Sequence, residues 1–262
     1  MTRRIWLTGA SSGIGLALAE ELLNAGHEVA LTARSVAPLE ALEQRFPDQV
    51  LLAPGDVTDL QQVTAIGERI AQVWGALDTA ILNAGTCEYV DTHQFDARLV
   101  ERVVKTNLIA TSYCVQEALI LLRLGKRPHL VGVASSVAFL PLTRSEAYGA
   151  SKAGLRYLFQ SLRIDLAHEN VDVTLINPGF VDTPLTAKND FAMPLRWSAP
   201  KAAHFIAQRL EKTRRPLEIS FPFLLILTLK AMAILPGRLQ LALSKRMVRA
   251  SGSAPGQREG AQ

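Results

Sequence analysis

Apolar residues in this chain of 262 fall into two kinds of run that alternate from end to end. Short unbroken runs at 4–8, 28–33, 50–53, 77–82, 130–134, 171–176 and 217–221 lack the in-and-out alternation of half-exposed strands. They read as strands buried on both faces. Longer stretches with helical spacing lie between them. In 14–24, for example, Ile14, Leu18, Leu22 and Leu23 share one face and Gly26 ends the run. Such alternation predicts an α/β fold, a doubly wound sheet of seven parallel strands with helices on both faces. No linker or internal repeat breaks the rhythm, so residues 1–250 are expected to form one domain. Residues 251–262, small and polar without periodicity, are expected to be a disordered tail.

Composition narrows the classes. With 48% apolar and 20% charged residues, 17 Gly and 13 Pro, the chain is neither collagen-like nor disordered. Cys87 and Cys114 are too few for a disulfide scaffold or a four-thiolate zinc site, and the five histidines form no metal-like cluster, so no metal is expected. A reducing cytosol fits best. The first residues mimic an export signal, but glycines and serines interrupt the apolar run within five residues of Arg4, and a cytoplasmic location is expected.

The first strand runs into Thr8-Gly9-Ala10-Ser11-Ser12-Gly13-Ile14-Gly15, with a helix after it. Glycines allow close approach of a pyrophosphate, and a helix N-terminus offers free N–H groups and a positive dipole end; a tight turn is the plainer reading. At the end of the second strand stands Arg34, where an acidic residue would bind a ribose 2′-hydroxyl; arginine can instead pair with a 2′-phosphate, which favours NADP(H) over NAD(H). Tyr148 and Lys152 are four apart on a helix, a spacing that puts an ammonium beside a phenol and can lower its pKa. Ser135 ends a strand, where its hydroxyl can hydrogen-bond a carbonyl oxygen. Asn107 lies in a long apolar helix expected over 99–122, where a buried amide needs partners. Taken singly, these are also a solvated arginine, a surface pair and capping groups.

Together they resemble the short-chain dehydrogenase/reductases in their single-domain form. The likeness covers roughly 4–183, with the glycine loop, Asp56-Val57, Asn83-Ala84-Gly85, Asn107, Ser135, Tyr148 with Lys152, and Pro178-Gly179 followed by Thr183 in order. Leu82 departs from many relatives, which carry an asparagine before Asn83. The resemblance implies a Rossmann-type sheet and a catalytic set of Asn107, Ser135, Tyr148 and Lys152. It implies cofactor contacts from Gly9, Ser11, Ser12, Gly13, Ile14, Gly15, Arg34, Asp56, Val57, Asn83, Ala84, Gly85, Tyr148, Lys152, Pro178, Gly179, Val181 and Thr183. Asp56 would face the adenine, Asn83 the adenosine ribose region and Thr183 the carboxamide. The implied reaction is reversible hydride transfer between nicotinamide and a carbonyl or alcohol, with Tyr148 moving the proton, Lys152 binding the nicotinamide ribose and Asn107 holding a relay water. A 3-oxoacyl thioester reductase and a non-catalytic dinucleotide-binding scaffold are the alternatives.

Substrate choice is expected in 185–200, where Phe191, Met193, Leu195 and Trp197 suit an apolar, lipid-like molecule or else pack on the core. Cys87 reads as packing. From Phe223 to Leu235 only Thr228 and Lys230 interrupt the apolar run, which at 13 residues is too short to span a bilayer. This helix is expected to be buried at a subunit interface or over the substrate cleft; peripheral membrane contact through 221–250 is the alternative. A homo-oligomer, dimer or tetramer, is expected. Nucleic acid is excluded because few aromatics accompany the basic residues. The net charge of +4 hides a division: residues 1–195 hold 16 basic and 21 acidic residues, and 196–262 hold 12 and 3.

Overall fold

The computed structural model describes residues 2–187, 189 and 193–245. Phe191, residues 246–250 and the expected tail 251–262 lie outside the described residues. Seven strands build one sheet: β1 (Arg4–Thr8), β2 (Glu28–Thr32), β3 (Val50–Leu52), β4 (Thr79–Leu82), β5 (His129–Val133), β6 (Asp172–Pro178) and, after a short pair, β9 (Glu218–Phe221). All neighbours are parallel, in the order β3-β2-β1-β4-β5-β6-β9. These are the seven runs expected from the sequence, each end within two residues. The short pair, β7 (Val181–Asp182) with β8 (Trp197–Ser198), was not expected.

Successive residues of a strand point to opposite faces, and each face has its own helices. Ile5, Leu7, Val29, Leu31 and Ile176 pack with residues of α1 (Gly13–Asn24), α2 (Ala37–Arg45) and α7 (Ala199–Leu210). Trp6, Ala30, Ala80, Leu130 and Leu175 pack with those of α3 (Leu60–Trp74), α5 (Ala110–Leu122) and α6 (Glu146–Leu166). Trp6 fits because its partners across β2 and β4 are Ala30 and Ala80. Its indole N–H, which needs a partner when buried, donates to Thr32 Oγ1 at 2.9 Å, and that hydroxyl donates to the Ala53 carbonyl at 2.8 Å.

Two local features position the site. The helix expected over 99–122 is instead α4 (Ala97–Val104), a π-helical turn (Lys105–Ile109) and α5 in one run, with the Ala110 N–H donating to the Lys105 carbonyl. Asn107 sits in that wide turn, fully buried. On β5, Gly132 lets α6 approach closely, since a Cβ there would meet the ring of Phe159 at 2.6–2.8 Å. That contact sets the helix bearing Tyr148 and Lys152 against the strand that leads to Ser135.

The chain's end forms α8 (Phe223–Ala233) and α9 (Gly237–Lys245). Only Ile226 and Leu229 of α8 are buried; Phe223, Leu224 and Leu227 are 77%, 59% and 51% exposed. The chain by itself thus covers one side of a helix whose composition asks for cover all round. Among the described residues, no helix is long and apolar enough to cross a membrane.

Candidate active site

A groove of about 690 Å³ runs along the carboxyl ends of the strands, where the strand order turns back between β1 and β4. Such a crevice is where open α/β sheets bind ligands. Gly9, Ser11, Ser12, Gly13, Ile14, Gly15, Arg34, Asp56, Val57, Asn83, Ala84, Gly85 and Thr183 all line it. An adjoining cavity of about 110 Å³ shares Ile14, Asn83, Gly85 and Thr183 and adds Ser135, Tyr148, Lys152, Pro178, Gly179 and Val181. Every residue expected from the sequence to touch a cofactor therefore borders one connected space.

The glycine loop is shaped for close approach. Gly9 has φ +68°, and a Cβ on it would meet Ala84 Cα at 2.8 Å; a Cβ on Gly15 would collide with the Gly9 carbonyl oxygen. Ser12, which precedes α1, makes no side-chain cap, so the first N–H groups of the helix face the groove without that competitor, unlike α3, whose N–H groups bond Asp59. A long groove ending in glycines and an open helix N-terminus fits a dinucleotide with its pyrophosphate at the loop. Arg34 is exposed on the rim at the end of β2. Asp56 is fixed by Thr58, whose backbone N–H and hydroxyl both donate to Asp56 Oδ1 at 2.9 Å.

Asn83 borders the groove, but its side chain is committed elsewhere. Its Nδ2 donates to the carbonyls of Thr8 and Gly9 at 3.1 and 3.2 Å, while the Thr8 hydroxyl accepts from the N–H groups of Asn83 and Ala84. It pins the glycine loop to the end of β4. Leu82 before it is buried in the core.

Ser135 and Tyr148 both line the smaller cavity, where the Ser135 hydroxyl also accepts from the Val137 N–H at 3.3 Å. Lys152, almost wholly buried, donates from Nζ to the Val133 carbonyl at 2.8 Å and lies 5.9 Å from the Tyr148 ring centroid. Asn107 borders neither space. It stands behind Gly85 and Thr86, accepting from the Thr86 N–H at 2.7 Å and donating to the Thr86 carbonyl and Ser151 Oγ, each at 2.9 Å. The buried amide is thereby satisfied.

The electrostatics depart from the sequence expectation. Burial pushes the Tyr148 phenol up, with Cys87 and Tyr89 adding to the rise and the Ser135 hydrogen bond opposing it. No pull from Lys152 offsets that rise; the same burial lowers the ammonium's own pKa to about 8, against an upward pull from Cys87. Cys87, expected as mere packing, is thus close enough to act on both groups. Spacing along a helix reports adjacency but not desolvation, which is why the direction was not legible.

Among the groove residues that sequence reasoning missed are Arg102, Lys105 and Thr106 of α4 and its π turn, with Glu88, also in the lining, ion-paired to Arg102 at 3.0 Å. A helix-period reading offers no signal for them. In the segment after β7, Trp197 packs inward, stacked on Phe221 at 4.9 Å and edge-on to Phe205 at 5.4 Å, while Leu195 is exposed. Met193 accepts from Asn189 Nδ2 at 3.1 Å, and Asn189 Oδ1 accepts from the Tyr89 hydroxyl at 2.5 Å, joining the loop after β4 to this segment.

The fold and the groove are those of a doubly wound α/β protein with a site of dinucleotide type. A family model for short chain dehydrogenases matches residues 3–193, and the chain belongs to that family. An uncharacterised oxidoreductase of Myxococcus xanthus is 33% identical over 248 residues, covering 94% of this chain and 97% of that protein. A short-chain dehydrogenase from Streptomyces avermitilis has a similar structure, with TM-score 0.78 and 21% identity over 94% of this chain and 95% of its own. An alcohol dehydrogenase from Thermococcus sibiricus, complexed with 5-hydroxy-NADP, matches with TM-score 0.76 and 23% identity over 84% and 96%.

Proposed function

We propose that this chain is an NADP(H)-dependent oxidoreductase acting on the carbonyl or secondary alcohol of an apolar, lipid-like substrate, and that Asn107, Ser135, Tyr148 and Lys152 carry the reaction. The observation that carries the reading is the convergence of Ser135, Tyr148 and a buried Lys152 on one small cavity adjoining the groove. Nicotinamide supplies the hydride when bound. Tyr148, kept protonated by burial, donates its hydroxyl proton to the carbonyl oxygen in reduction and recovers it in the reverse direction. Ser135 orients that oxygen and stabilises its developing charge. Lys152, held to β5 through the Val133 carbonyl, supplies positive charge below its pKa of about 8. Asn107 acts as a positioning residue, since its amide holds Thr86 in the cavity wall. Arg34 on the rim supports NADP(H), as does the 5-hydroxy-NADP of the Thermococcus sibiricus structure.

An apolar substrate fits walls that include Ile14, Val133, Ala134, Pro178, Val181 and Leu185. A homo-oligomer fits the exposed Tyr157 and Ile164, seven residues apart on α6. The test is Tyr148→Phe. Carbonyl-dependent NADPH oxidation should fall by about 10²–10⁴-fold while NADPH binding by fluorescence titration persists; unchanged turnover in this variant would overturn the reading. With the unsubstituted protein, kcat/KM should rise with alkyl chain length across a panel of ketones, aldehydes and 3-oxoacyl thioesters.

A further inference from the structure

The chain's end combines three features that hydride transfer does not use. Residues 219–258 contain six Lys or Arg and no Asp or Glu. In α8 the large apolar side chains Phe223, Leu224 and Leu227 are exposed, as is Lys230, which pairs with Glu218 at 3.6 Å; in α9 no residue with a described side chain is buried, and Leu239 and Leu241 are 48% and 56% exposed. Finally, α8 starts on the rim of the cavity that holds Tyr148. A Cβ on Gly179, in that cavity's wall, would meet Leu225 Cδ2 at 2.7 Å and Pro222 Cδ at 2.9 Å. Lys230 Nζ lies 4.7 Å from the ring centroid of Phe139, in the turn just after Ser135.

Helices of about ten residues gain too little from their own hydrogen bonds to stand in water and depend on a packed apolar face. Here the unpacked apolar face is set in a segment of one charge sign. A second copy packed through the same segment would bring only further cations and no carboxylate from residues 219–258 to offset them. A bilayer surface bearing negative headgroups offers hydrocarbon and opposite charge together. We propose that α8 and α9 form a docking surface for anionic membranes, lying in the interface with their leucines and Phe223 at the acyl boundary. At 11 residues α8 is too short to cross a bilayer. Docking in this way holds the mouth of the cavity beside the membrane, where an apolar substrate would be concentrated; that consequence rests on the reductase reading, whereas the docking itself does not.

Flotation of the full chain with vesicles tests the proposal. The protein should co-float with vesicles of phosphatidylcholine and phosphatidylglycerol, at least about tenfold less with phosphatidylcholine alone, and less as salt rises. Leu224→Ser with Leu227→Ser should abolish co-flotation while leaving reduction of a small water-soluble ketone unchanged. Charge reversal at Lys245, Arg246 and Arg249 to Glu should do the same. The proposal is overturned if the protein stays with the soluble fraction or if both variants float as the unsubstituted protein does. It is also overturned if light scattering shows a doubled mass that the leucine variant halves, since the face would then belong to a second copy. Flotation without any carbonyl reduction would leave the docking surface standing and remove the reductase reading.

Discussion

Arg34 lies two residues past the end of β2 at the lip of the groove, exposed, and Asp56, which lines the same groove, accepts at Oδ1 from Thr58. On the proposed NADP(H) reading, the Arg34 guanidinium bears on cofactor choice and little on stability. Arg34→Ala should weaken NADPH about 10- to 100-fold, the size of a lost charge-assisted hydrogen bond, and NADH by less than about twofold. Paired titrations of both cofactors check this; equal losses would mean that Arg34 does not read the phosphate. The sequence position sufficed to single out Arg34, because the end of the second strand is a fixed place in this architecture. Asn83 shows the opposite case. Its place beside the groove was legible, but its work, bonding the carbonyls of Thr8 and Gly9, depends on a pairing of β1 with β4 across some 75 residues that no local pattern encodes.

At the scale of elements, legibility follows burial. The strands are covered on both faces, so their apolar runs are unbroken and easily found. β7 and β8, two residues each, carry no such run. The π turn in the α4–α5 run escapes for another reason: one extra residue in a turn changes the hydrogen-bond step from four to five without disturbing the apolar count on either side. The turn between α1 and β2 carries a further consequence. His27 Nδ1 accepts from the Arg3 N–H at 3.3 Å and Nε2 faces Glu211, at the end of α7, at 3.0 Å, an arrangement suited to a neutral ring. Burial, reinforced by the Arg3 guanidinium, lowers its pKa to about 4. The unfolded chain takes up this proton near 6.5, so between pH 6.5 and 4 the unfolded state binds more protons. Stability is full above that window and is lost as the pH falls through it, by up to about 3 kcal/mol. Thermal melts from pH 7 to 4 should show the decline, and His27→Gln should flatten it.

At the scale of the whole molecule, the mild net charge conceals a body with acidic excess and an end with basic excess. The structure gives that division a place, since the basic stretch includes α8, whose Phe223, Leu224 and Leu227 are exposed, and α9, in which no described side chain is buried. A second division runs through the sheet itself. Because the strand order turns back between β1 and β4, residues 4–52 build one side of the sheet and residues 79–221 the other, and the groove lies over the seam. Gly9 and Arg34 line the groove from one side and Asn83 and Thr183 from the other, so on the proposed reading a bound dinucleotide would bridge the two halves and oppose their opening. It should act as a rivet on the global unfolding equilibrium. At about 100 times its dissociation constant it adds about 2.7 kcal/mol, which for a chain of this size raises Tm by about 5–10 °C. Thermal-shift titration measures the rise, and hydrogen exchange should show β2 and β5 gaining protection together rather than one half alone.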